Sequence, residues 1–160
     1  MIQYRVTKYD PQYRDASGAY KRNEWIMHSQ IGESFDDGVL TEPQYMAVEN
    51  AYVDAAISFL SESGVDSLAI QSLENARGYQ SSDLTIADGH VCSLPEIADL
   101  ARLVLRDIIW CKLTRDAAFI HFGWDYYMYI GVPVPCPIAI NSATESGLFV
   151  ESFDSPHLST

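Results

Sequence analysis

The side chains best suited to chemistry lie near a short turn late in the chain. His121 and Asp125 flank Gly123-Trp124, and His90 is the histidine that could join them in a metal or acid–base site. Zinc and iron sites draw three or four ligands from recognisable pairs, but the chain holds no H-E-x-x-H, no H-x-H and no close cysteine pair. The spacing therefore predicts no bound metal. In an alternating strand Ala118, Ile120 and Phe122 share one face and Phe119 and His121 the other, so His121 reads as a satisfied structural histidine. Neither G-x-S-x-G, G-x-G-x-x-G nor a P-loop occurs, so no catalytic residue and no cofactor is expected. Carboxylates are too numerous for any pair to mark a glycosidase.

The run Trp124-Asp125-Tyr126-Tyr127-Met128-Tyr129-Ile130 is the most unusual local composition. Alternation places Tyr127 and Tyr129 on one face and Tyr126, Met128 and Ile130 on the other. One face belongs to a core. The other, with Trp124, is a candidate interface, because Tyr and Trp are enriched at contact surfaces.

Charge is the strongest compositional signal, with a net charge of −12. From Met1 to Arg22 there are five basic and two acidic residues, whereas residues 23–76 hold ten acids and no Lys or Arg. A surface of this sign disfavours nucleic acid, whose phosphates need Lys and Arg, and disfavours an anionic membrane. It suits a basic protein partner, since opposed fields speed association and select partners. Glu33, Asp36, Asp37, Glu42, Glu49 and Asp54 are the candidate docking carboxylates. The competing reading is an ordinary solvated face.

These residues need a scaffold, and the length of 160 residues suits one domain spanning 1–160. Ile2 to Tyr9 alternates as a strand, residues 10–23 form a turn-rich loop, and Trp25 to Ile31 is a second strand ended by Gly32. Thr41 caps a first helix, with Pro43 in its first turn, Gln44 completing a capping box and Gly64 closing it. Its apolar stripe is Tyr45, Val48, Tyr52, Ala55 and Phe59. Ser67 to Leu73 reads as a buried strand, and Leu84 to Cys92 as a strand interrupted by Asp88-Gly89. Ser93 and Glu96 start a second helix, with Ile97, Ala101, Val104, Leu105 and Ile108 buried and Asp99 pairing with Arg102. The last third reads as β: Trp110 to Leu113, then Ala118 to Phe122 and Tyr126 to Ile130 about a three-residue loop. A Pro-rich stretch, a strand within 147–153 and a loose tail from Ser155 to Thr160 follow. The predicted fold is α+β, a mixed or antiparallel sheet with two main helices on one face.

Cys92, Cys111 and Cys136 are widely spaced among apolar neighbours, the pattern of free buried thiols in a cytoplasmic protein. The N-terminus lacks the apolar run of a signal peptide, and no stretch is apolar enough to span a membrane.

The opening Tyr4-Arg5-Val6-Thr7-Lys8-Tyr9-Asp10-Pro11 and the segments Asn23-Glu24-Trp25 and Ser29-Gln30-Ile31-Gly32 resemble a group of small bacterial proteins without an established activity. The stretch from His121 to Gly131 and Gly147-Leu148-Phe149-Val150-Glu151 extend that resemblance. By type alone, a small acidic domain without a catalytic motif is similar to the immunity proteins of bacterial toxin systems, which often mask basic nuclease toxins. That likeness implies a non-enzymatic domain binding a basic protein, with Trp124, Tyr127 and Tyr129 joining the carboxylates. The alternative is a small-molecule or carbohydrate-binding domain, or an enzyme, with its site near His121, Trp124 and Asp125.

Overall fold

The computed structural model describes residues 1–158. Its centre is a seven-stranded sheet built from β1 (Ile2–Thr7), β4 (Ser67–Glu74), β5 (Val91–Ser93), β6 (Trp110–Arg115), β7 (Ala118–Phe122), β8 (Met128–Val132) and β9 (Phe149–Ser152). The order is β5-β4-β6-β7-β8-β1-β9, and every ladder is antiparallel. A separate hairpin pairs β2 (Ser34–Phe35) with β3 (Gly38–Val39). Three helices, α1 (Glu42–Glu62), α2 (Leu94–Leu105) and α3 (Pro137–Glu145), pack with one face of the sheet into a common core. The fold is α+β, with one helix more than expected. Among the described residues no helix is long and apolar enough to cross a membrane.

Local chemistry explains each helix. The capping boxes of α1 (Thr41 and Gln44) and α2 (Ser93 and Glu96) satisfy orphan backbone donors, and Pro occupies the first turn of both. In α3, Glu62 of α1 does the capping, accepting from the backbone N–H of Ala139 at 2.7 Å and of Ile138 at 3.3 Å. All three helices end in the same doubly bonded left-handed cap: Val65 to Leu60 in α1, Ile108 to Leu103 in α2 and Leu148 to Ala143 in α3. The left-handed residue is Gly64 in α1 and Gly147 in α3, but Asp107, at φ 60°, in α2. That reversal ends α2 at Leu105, so Ile108 lies outside the helix and only partly buried.

Two expected strands are corrected. Over 25–31 the backbone N–H groups of Ile26 and Met27 donate to the Gln30 side chain at 2.7 and 3.3 Å, which uses the donors a strand would offer and leaves a 3₁₀ turn at His28–Gln30. Over 84–92 the strand itself begins only at Val91, because Gly89, which still bonds to Ile70 of β4, turns the chain and the Asp88 carboxylate is taken by the N–H of Leu73 at 2.9 Å. Nor does Arg102 turn to Asp99; it reaches across to α1.

Alternation sorts the sheet as expected. Val6, Leu113, Ile120, Met128 and Ile130 enter the helix-facing core, and so do all three cysteines, which are free and buried. On the other face Phe119 lies directly opposite Gly131. A Cβ at Gly131 would sit 2.3 Å from the Phe119 ring, so only glycine admits that ring. The tail is not loose as far as Leu158. Ser155 is buried, its N–H donating to Gln3 at 2.8 Å, and Lys112 donates to the His157 carbonyl at 2.7 Å. The remainder of the expected tail, residues 159 and 160, lies outside the described residues.

Candidate functional site

The loop between β7 and β8 is five residues long, 123–127, and is closed by the N–H of Gly123 donating to the Tyr127 carbonyl at 2.9 Å. Within it Asp125 and Tyr126 both hold left-handed backbones, at φ 62° and 68°. Such strain persists only where the surroundings over-determine it. Here buried tyrosines do so. Tyr9 donates to the Asp125 carbonyl at 2.5 Å, Tyr52 to the Tyr126 carbonyl at 2.8 Å, and the Tyr126 hydroxyl to Tyr45 at 2.9 Å. Burial holds the hydroxyls of Tyr9, Tyr52 and Tyr126 well above the ordinary tyrosine range, so each stays a donor at any working pH.

The clamped loop forms one wall of a cavity of about 380 Å³. Leu105 and Asp107 at the end of α2, Trp110 opening β6, Glu74 closing β4, Met27 and His157 supply the remaining sides. Trp110 is fixed by donating its indole N–H to the Phe122 carbonyl at 3.0 Å. Glu74, Asp107 and Asp125 bring three carboxylates; among the described lining residues there is no Lys or Arg, and burial lowers the pKa of His157. Among the described residues four non-glycine residues have positive φ, and three of them line this cavity: Asp107, Asp125 and Tyr126. At its mouth Trp124 is 86% exposed.

The expected constellation divides. Trp124 and Asp125 belong to the cavity, but His121 faces the opposite side of the sheet. Its Nδ1 lies 2.8 Å from the Ser155 hydroxyl, its ring stacks on Phe119 at 4.0 Å, and burial, with Lys112 and His157 nearby, lowers its pKa to about 3. It is the satisfied structural histidine expected, with no acid–base link to Asp125. Tyr127 is half-buried, its hydroxyl accepting from Arg14 at 2.9 Å. Tyr129 is only 7% exposed and packs near Phe153 and His157, so it offers no interface.

The acidic stretch is also rearranged. Glu49 is not a docking residue: it is fully buried, held by Arg102 at 3.2 Å and Arg106 at 3.0 Å. Asp37 pairs with Arg22, Glu24 with Lys8 and Asp66 with Arg115, while Glu62 caps α3. Segregation along the chain is thus undone in space for four of the ten acids, Glu24, Asp37, Glu49 and Asp66. Glu33, Asp36, Asp37, Glu42 and Asp54 stay exposed, but none of them lines the cavity. Of the three carboxylates that do, Asp125 was a sequence candidate, while Glu74 and Asp107 had between them one sequence signal: Asp107 stands where the two other helices use glycine.

A second cluster lies at the start of α2. Donor atoms of His90, Cys92 and Glu96 all fall within 4.8 Å of one another, about an ångström wider than the ligands of a tetrahedral metal site.

No protein-family model matches the chain, and comparison with curated proteins and with solved structures likewise gives no match.

Proposed function

We propose that the protein is a non-catalytic binding domain for a basic protein partner, docked around Trp124 with a Lys or Arg side chain of the partner in the adjoining cavity. One observation carries the reading: a tryptophan 86% exposed beside aromatic rings and three carboxylates with no cation among the described lining residues. Exposed Trp is a typical interface anchor, and rings with carboxylates suit a guanidinium or ammonium group. Masking of a basic toxin, as immunity proteins do, is the form of this activity that the acidic surface fits. The cavity volume of about 380 Å³ also favours a second reading, capture of a small amine or sugar, since such sites span roughly 300–1,000 Å³.

Titration with an arginine-rich peptide, followed by Trp fluorescence, separates the two. Saturable binding that weakens at least tenfold in W124A and D107G supports the first, and equal losses in D36N/E42Q would reduce the effect to net charge. A response to methyl glycosides or aryl amines, with none to the peptide, supports the second. Asp107→Gly should also raise stability by about 0.5–1 kcal/mol, because glycine carries no penalty in the left-handed cap.

A further inference from the structure

The cluster at the N-terminus of α2 is separate from the Trp124 cavity and is built differently. His90 and Cys92 are two residues apart on extended chain, so their side chains share a face. The backbone of His90 is pinned to β4, its carbonyl accepting from the Ile70 N–H at 2.9 Å, and Cys92 sits opposite Leu68 in the ladder with β5. Glu96 turns back over the same spot through its capping bond, accepting from the Ser93 N–H at 2.9 Å. The three donor atoms are therefore positioned by a strand and a helix cap, not by a mobile loop.

We propose that His90 Nε2, Cys92 Sγ and a Glu96 carboxylate oxygen form a binding site for a divalent transition metal of the zinc type. The independent sign is His90 Nε2, which is buried with no hydrogen-bond partner and lies 3.6 Å from a Glu96 oxygen. A ring nitrogen buried without a partner is costly, and a metal ion satisfies its lone pair. The other features agree. Imidazole, thiolate and carboxylate are the ligand types zinc accepts at about 2.0–2.3 Å, and a contraction of the cluster by an ångström or so brings all three to that radius. Calcium and magnesium need six or more oxygens and have one candidate side chain here. On binding, the Cys92 thiol gives its proton to solvent, and thiolate plus carboxylate balance the dipositive charge. Cys92 is fully buried, so the ion reaches its sulfur from the side of His90 and Glu96. The side chains of His90 and Glu96 are 29% and 32% exposed, which gives the ion a route in from solvent. Three protein ligands leave a fourth position open to water or an external ligand. The positive end of α2 opposes the cation, and the two anionic ligands outweigh its half-charge.

The expectation of no metal rested on the absence of paired ligand motifs. Here the third ligand comes from a helix cap, a source such motifs do not include.

The test is a titration of Co²⁺ into chelator-treated full-length protein. The expected result is one equivalent bound, with a thiolate-to-cobalt charge-transfer band that Zn²⁺ abolishes by displacement. C92S should lose the band and H90Q should lose more than tenfold in affinity, since even outer-shell partners cost that much. C111S and C136S should keep both. Absence of the band in the folded wild type overturns the site, as does a band that survives C92S. Should C92S fail to fold, H90Q at its partly exposed position decides, and unchanged cobalt affinity there is equally fatal.

Discussion

Removing either side of the buried Glu49 cluster should have unequal costs. The carboxylate is fully buried, while the Arg102 and Arg106 side chains keep 34% and 32% of their exposure. Arg106 reaches both carboxylate oxygens, at 3.2 and 3.0 Å, and Arg102 adds a bond at 3.2 Å. In Glu49→Gln the shape is kept and both guanidinium groups turn to water, so the loss is the charge-assisted part of these bonds, about 1–2 kcal/mol. In R102A/R106A the carboxylate stays buried with no cation, and the cost is about 3–5 kcal/mol. Urea denaturation monitored by circular dichroism reads both: each midpoint falls at unchanged slope, the double variant by the larger amount. Thermal midpoints should follow at roughly 2–4 °C per kcal/mol for a chain of this size. If Glu49→Gln proves the more damaging, desolvation of the carboxylate is not the governing effect and the account is wrong.

His121 should make the fold acid-sensitive. Its folded pKa of about 3 lies below the ordinary 6.5, so the unfolded chain binds the extra proton and stability falls as pH drops from about 6.5 towards 3. The slope is up to about 1.4 kcal/mol per pH unit, and His121→Asn should flatten it in a series of denaturation midpoints from pH 7 to 4. Gly131→Ala forces the new methyl against Phe119 and should cost about 1–3 kcal/mol; the double change G131A/F119A should recover part of the loss if the clash is its cause.

Helix starts were legible because the capping boxes at Thr41 and Ser93 are local, as was the glycine that closes α1. The third helix had the same kind of signal, Pro137 at its start and Gly147 after its end, but the neighbouring prolines disguised it as loop. The residue segregating most poorly was Glu49. Its two cations lie 53 and 57 residues further along, and no periodicity encodes a partner at that distance. The cavity was half legible. Trp124 and Asp125 stood out by composition, whereas Glu74, Asp107 and Trp110 arrive from separate segments through the sheet order. His121 follows the strand alternation that set it on the face of Phe119 and apart from Ile120, and the fold obeys that alternation, which parts it from the Trp124 and Asp125 with which the alternative site had grouped it.

The sheet order also sets a timetable. β1 lies between β8 and β9, so the first strand made has no neighbour until residues 128–152 have been synthesised. At roughly 5–20 residues per second a nascent chain waits on the order of ten seconds with Val6 and Tyr9 unburied. Tyr9 cannot grip the carbonyl of Asp125 before then, so the loop over 123–127 takes its strained shape only once β1 has docked. A chain arrested before β8 would display α1 and α2 but lack the clamped Trp124 loop, and protection of the early strand from stray pairing falls to whatever attends the ribosome.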